Sequence, residues 1–249
     1  MRSLSDEVAA FEVPVPGETS YSTLEVKAEL MRWTRSKKQF YFYDVPVEVT
    51  YFEPAYGPDS GYTAVSVEGN NMVTNHIIDI EVRCKFGNQV GFQATFIQGT
   101  GILLCLSEDY RNEVECGPGW GGAECPGESL VPLTVALNGQ QYTEQSQLYQ
   151  FYRTPVEVHE FVPQAGPLSG GTTTVIDGLI FMDTGLTTCK WGDDRDAVAP
   201  AQYVDGNIVC TSPSVSALDN PYSTGEFGLK IALNGAQYSD VPLYYVPPM

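Results

Sequence analysis

The sequence predicts an all-β protein made of tandem two-layer sandwiches locked by disulfides, and three observations predict it. Blocks of sequence recur at a near-constant spacing. Apolar and polar residues alternate with a period of two, and no convincing 3.6-residue periodicity appears. Six cysteines stand without a C-x-x-C pair in a chain that has only two histidines. A chain of 249 residues exceeds one ordinary domain, so two units of somewhat over a hundred residues are the first expectation.

Composition narrows the function classes. Hydrophobic residues make up 43%, enough for packed cores. The charge is lopsided, with 13 Lys and Arg against 31 Asp and Glu, a net −18. Such a chain repels a phosphate backbone or an anionic membrane face, so nucleic-acid binding is excluded as a function class. Apolar runs are only a few residues long, too short for direct membrane insertion.

Because the cysteines lack metal-ligand spacing, three disulfides are the better reading, and they place the chain outside the cell or on its surface. Arg2 is followed by Ser3, Leu4, Ser5, Asp6 and Glu7 rather than by an apolar run, so Met1 begins no secretory signal. The expectation is a slice of a longer chain.

The repeat sets the architecture. Val47 to Gly61, with its Phe52-Glu53-Pro54 and Gly57-Pro58, reappears as Val156 to Gly170, 109 positions on. Cys84-Lys85-Phe86-Gly87 reappears as Cys189-Lys190-Trp191-Gly192, and Leu104-Cys105 as Val209-Cys210. Ala136-Leu137-Asn138-Gly139-Gln140-Gln141-Tyr142 recurs as Ala232 to Tyr238. Residues 1–44 extend the pattern faintly, with Val26, Trp33, Phe42 and Tyr43 ahead of Val135, Tyr142, Phe151 and Tyr152. We therefore expect the closing strands of a preceding repeat in 1–44 and complete repeats in 45–154 and 155–249. Boundaries read as Tyr43 to Pro46, Tyr152 to Pro155 and Tyr245 to Pro248.

Within a unit, the opening strand ends at a Gly-Pro turn. Later, Phe227, Leu229, Ile231 and Leu233 alternate with Gly228, Lys230 and Ala232, the signature of a sheet with one buried face. That strand runs into Asn234-Gly235, which favours a type I′ hairpin turn. Short strands at regular intervals favour a sandwich over a barrel.

These residues resemble the IPT/TIG domain, the immunoglobulin-like fold shared by plexins and certain transcription factors. The second unit carries the pattern most fully: Phe161 to Thr172, Gly178 to Phe181, Cys189 to Gly192, Ile208 to Pro213 and Leu233 to Tyr238. The first departs from it, with Tyr62 in place of the second Gly and no Ser-Pro after Cys105. The resemblance implies tandem immunoglobulin-like sandwiches but speaks only weakly to function.

Matched positions pair Cys84 with Cys105 and Cys189 with Cys210, each closing a loop worth roughly 3 kcal/mol on the chain-entropy account. Cys116 and Cys125 remain, flanking a Gly-rich insertion with Trp120 near its middle. That loop is either a contact surface or a decoration folded onto its own unit. Asp193, Asp194, Asp196 and Asp205 are weak calcium candidates, but Arg195 sits among them and a solvated acidic loop is the better reading. Arg32, Arg35, Lys37 and Lys38 form the single basic cluster, in a segment of net −1 followed by units of net −9 and −8. They are candidate contacts with acidic neighbours or an exposed hairpin tip.

No catalytic constellation emerges. His76 and His159 have no partner imposed by the repeat, and Ser60 and Ser169 lack the G-x-S-x-G spacing of a hydrolase nucleophile. No cofactor is expected. No Asn has Ser or Thr two places on, so N-linked glycans are not expected. Tyr-rich closing strands must turn alternate rings away from their own core, which predicts that the next unit covers them. Short Pro-containing linkers then predict a rod.

The expected function is a non-enzymatic extracellular structural or interaction module, a slice of a repeat array in a cell-surface filament, appendage or adhesive stalk. The alternative is a spacer or ligand-binding ectodomain of a plexin-like receptor. Partners are other copies, adjoining modules or another extracellular protein.

Overall fold

The computed structural model describes residues 2–3, 9–10, 20–25, 27, 32, 35, 38–72, 81–111, 129–144, 147–154, 156–167, 169–179, 181–192, 197–214, 227–239 and 243–245. Among them, every regular element is a strand. Near the start, β1 (Arg2–Ser3) pairs with β2 (Ala9–Ala10), and β3 (Ser20–Leu24) pairs antiparallel with β4 (Lys38–Phe42).

The first sandwich comprises β5 (Glu48–Glu53), β6 (Tyr56–Pro58), β7 (Ala64–Asn70), β8 (Arg83–Phe86), β9 (Gln89–Gln93), β10 (Thr95–Phe96), β11 (Leu103–Leu106), β12 (Ser129–Ala136) and β13 (Leu148–Tyr152). The second comprises β14 (Glu157–Val162), β15 (Thr173–Leu179), β16 (Thr188–Trp191), β17 (Val198–Pro200), β18 (Gln202–Val204), β19 (Asn207–Thr211), β20 (Phe227–Ala232) and β21 (Leu243–Tyr245). One sheet of the first runs β10-β11-β7-β5, and its counterpart runs β18-β19-β15-β14. The facing sheets run β9-β8-β12-β13 and β17-β16-β20-β21, and β6 adds a parallel edge to β13 in the first sandwich. The Gly57-Pro58 pair, expected in a turn, thus belongs to this short strand, and the chain turns at Asp59-Ser60 instead.

Alternation dictates the cores. Along β8 and β16, Cys84, Phe86, Cys189 and Trp191 point inward while Lys85 and Lys190 do not. The interiors form two separate clusters, one around Phe86, Leu133, Tyr149 and Phe151, the other around Trp191, Ile176, Ile208 and Leu229. Each has one disulfide tying its two sheets together: Cys84–Cys105 with Cα atoms 5.9 Å apart, and Cys189–Cys210 with 6.3 Å.

Several repeated motif residues acquire physical reasons. Both opening strands bulge at one place, Thr50 and His159, where the pairing shifts. The bulge brings the carbonyls of Glu48 and Glu157 over Gly69 and Gly178, where a Cβ would lie only 1.9 and 2.2 Å from the oxygen. Glycine is required there by space. The Lys of each Cys-Lys-aromatic-Gly block lies over the Tyr that ends each Asn-Gly block: Lys85 is 5.7 Å from the Tyr142 ring centre and Lys190 is 5.6 Å from that of Tyr238.

Two sequence expectations change. The Asn-Gly pairs do not make two-residue type I′ hairpins, because Gly139 and Gly235 have positive φ but Asn138 and Asn234 do not. Instead each Asn side chain caps a wider loop, its Oδ1 accepting from the amides of Gln140 and Gln141, or of Ala236 and Gln237. Second, Tyr245 pairs with Phe227 as Tyr149 pairs with Val131, so it stands level with Tyr149 rather than with Tyr152. A shared aromatic-then-proline composition aligns boundaries that the strand register separates.

Two measurements follow from this packing. Replacing Cys189 and Cys210 together by Ala lowers stability by about 3 kcal/mol, read as an earlier denaturant midpoint under non-reducing conditions. Burial pushes the Tyr149 phenol up to about 12 and raises that of Tyr152 as well. An unfolded phenol ionises near 10. The stability these groups contribute is therefore complete below pH about 10 and is lost as pH rises through their folded values. Phenolate absorbance should show a fraction of the tyrosines titrating only with unfolding. Ionisation of every tyrosine near pH 10 in still-folded protein would contradict this.

Candidate functional site

The site assembled most completely from both units is the joint between them. Along β13, Tyr149 and Phe151 enter the first core, and Tyr152 turns to the opposite face. Tyr152 is only 1% exposed because it is packed in the second cluster, with Val156 and the half-buried Tyr56 beside it. Its hydroxyl meets the Asn234 main chain. The same boundary one unit earlier places Tyr43 and Val47 against the first core. Full burial of such a ring is worth roughly 2 kcal/mol or more.

Polar groups fix the direction of the joint. Asp59 is 8% exposed. Its amide donates to the Tyr152 carbonyl at 2.7 Å, and its Oδ1 accepts from the Thr154 amide at 3.0 Å and from the Thr154 hydroxyl. The linker leaves β13 clamped by a carboxylate of its own sandwich. From the other side, Gln237 in the Asn-Gly loop of the second sandwich reaches back. Its Nε2 donates to the Gly61 carbonyl at 2.9 Å, while its Oε1 accepts from the Thr63 hydroxyl at 2.6 Å and from Asn234 Nδ2 at 2.8 Å. Thr63 is 2% exposed.

Beside this latch, Tyr62 holds a φ of 60°, the left-handed region that its counterpart Gly171 occupies at 85°. The Tyr62 ring is 65% exposed and lies 5.9 Å from the ring of Phe92.

The candidates drawn from the sequence lie elsewhere. Arg32 and Arg35 are exposed in the connection between β3 and β4, and Lys38 begins β4. Asp205 is exposed with a φ of 49° in the turn between β18 and β19. Cys116, Cys125, Trp120, Lys37, Asp193, Asp194, Asp196 and His76 lie outside the described residues. His159 sits exposed at its bulge, its Nδ1 3.7 Å from Asp177. The sequence patterns do not single out Asp59, Thr63, Thr154 or Gln237. Only Gln237 carries a signal, since the Asn-Gly-x-Gln spacing recurs as Asn138 to Gln141. Among the described residues, no three His, Cys, Asp or Glu converge as metal ligands, and no helix is long and apolar enough to cross a membrane.

Known proteins resemble this chain to different degrees. Residues 155–245 match the family model described as the IPT/TIG domain. Plexin A3 of Danio rerio is 25% identical over 185 residues, covering 72% of this chain and 9% of that protein. The chain therefore spans about a tenth of the curated relative's length. The solved full extracellular region of plexin A4, domains 1 to 10, superposes with a TM-score of 0.50 at 18% identity, over 86% of this chain and 17% of that one. A surface glycan-binding protein from Prevotella bryantii superposes at a TM-score of 0.30 with 14% identity, over 82% of this chain and 43% of that one. Disulfides across both sandwiches, with the plexin likeness, assign an extracellular or cell-surface location. The fold is that of tandem immunoglobulin-like, IPT/TIG-like sandwiches, in which the sandwich ahead of residues 155–245 repeats their strand order and disulfide.

Proposed function

We propose that this chain is a non-enzymatic extracellular interaction module whose work is to hold neighbouring sandwiches at a fixed angle within a longer array. Residues 45–154 and 155–249 act as complete repeats, and 1–44 as the closing strands of a preceding one. One observation carries the reading: Tyr152 of the first sandwich is buried in the core of the second, between the Asp59–Thr154 clamp and the Gln237 latch. An apolar anchor ringed by directional hydrogen bonds resists both bending and twisting. The partners are adjoining modules of the same chain, other copies, or another extracellular protein.

In the leading reading the array builds a cell-surface filament, appendage or adhesive stalk. The match to plexin A3 favours a second reading, a spacer or ligand-binding stretch of a receptor ectodomain. Electron microscopy of native material separates them: filaments with a repeat of one or two modules support the first, and dispersed particles support the second.

Stiffness itself is tested by small-angle scattering on Tyr152→Ala combined with Gln237→Ala. The parent chain should scatter as one rigid particle and the variant as two sandwiches on a hinge, with thermal unfolding of the variant shifted down by several degrees. Hinged scattering from the parent chain would remove the basis for a spacer role.

A further inference from the structure

On the side of the first sandwich, the latch ends at one hydroxyl group. Thr63 donates to Gln237 Oε1 at 2.6 Å and is itself 2% exposed. Tyr149 reaches the same place from inside the core, its hydroxyl set against those of Thr63 and Ser107. Gly57 makes room for this cluster: a Cβ there would lie 1.9 Å from the Tyr149 oxygen and 2.3 Å from Thr63 Oγ1. The phenol oxygen is held where it is by its ring. Phe86 and Phe151 pack edge-on against that ring, each with centroids 4.9 Å away.

Within its own core this hydroxyl is unfavourable. It is fully buried without an aligned hydrogen bond, a penalty that phenylalanine in the same place would avoid. Proton accounting at the joint gives it a use. A glutamine carbonyl oxygen only accepts, so the latch requires the single Thr63 hydroxyl proton to point outward, to Gln237. Ser107 Oγ already accepts from the Thr63 amide at 3.0 Å. The phenol proton turns about its C–O bond and can be offered to the Thr63 oxygen from behind, and a hydroxyl that accepts a hydrogen bond donates more strongly. The second unit repeats the constellation. Gly166, Thr172 and Ser212 occupy the matching positions, Ser212 Oγ accepts from the Thr172 amide at 3.1 Å, and Tyr245 stands level with Tyr149.

We infer that the Tyr149 hydroxyl is a positioning group for the joint: it holds the Thr63 hydroxyl in the orientation that bonds Gln237, and so couples the core of the first sandwich to the latch of the second. The coupling runs from Tyr149 through Thr63 to Gln237 and bypasses the linker. It deepens the fixed-angle reading and rests on it, because the latch it acts on belongs to that joint.

Limited trypsin cleavage of the full chain after Arg153 reads the joint. Arg153 is exposed in the linker, but its neighbours Tyr152 and Thr154 are tied down, so cleavage waits on opening and its rate follows the open population. Cleavage after Arg83, within β8, reads unfolding of the first sandwich itself. Tyr149→Phe removes one oxygen and keeps the ring. It should speed cleavage after Arg153 about fivefold, the scale of one net hydrogen bond, and leave cleavage after Arg83 unchanged. Gln237→Leu should speed cleavage after Arg153 as well, and adding Tyr149→Phe to it should bring no further increase. Suppose Gln237→Leu does open the linker: then a silent Tyr149→Phe, an equal rise after Arg83, or the same fold-increase in the Gln237→Leu background overturns the inference and leaves the joint standing. No response to Gln237→Leu overturns the latch and the inference together.

Discussion

A β-strand can commit only alternate residues to its own core, and this constraint organises the molecule around Tyr152. Its neighbours Tyr149 and Phe151 fill the first sandwich, so the Tyr152 ring must face out of it. An aromatic ring left in water at the end of a sandwich would forgo the stabilisation that burial provides. The second sandwich supplies that burial, and in doing so places the start of β14 directly after β13 with few residues between. The two cores are distinct, and the second takes in Tyr152 and Tyr56 from the first sandwich.

Apolar contact alone has no preferred direction, and the polar groups at the joint provide one. Asp59 and Thr63 are among the buried polar residues of the chain, and both are engaged with the linker or the neighbour. A buried carboxylate without donors would be costly, and the Thr154 amide and hydroxyl offset that cost only while the linker keeps its course. Gln237 acts in the same way from the far side, its amide donating to the Gly61 carbonyl and accepting from the Thr63 hydroxyl. On the proposed reading, stiffness follows from satisfaction: bending the joint would strip partners from several buried groups at once.

The likeness to plexin extracellular modules fits a molecule in which the loops and faces vary while the frame repeats. The two sandwiches share strand order, bulge, cation–π pair and disulfide, but among the described residues they differ near the joint: Tyr62 stands where the second has Gly171. The left-handed backbone of Tyr62 carries strain that a glycine would not, and it presents an exposed ring beside the latch.

The sequence by itself determined the two-unit plan, the all-β class and the matching of Cys84 with Cys105 and Cys189 with Cys210, because repeats, period-two alternation and spacing are local properties of a chain. It also indicated that Tyr-rich closing strands need cover. The turn chemistry was only half legible: Asn-Gly marked the loop, but whether Asn adopts a positive φ or caps with its side chain depends on how far the loop must reach. The boundary at Tyr245 was misaligned because composition cannot report strand register. Only the tertiary structure decided that Asp59, Thr63, Thr154 and Gln237 form one site. These residues lie in two different sandwiches and share no motif, and what unites them is the geometry of burial at a surface that exists only once both cores have formed.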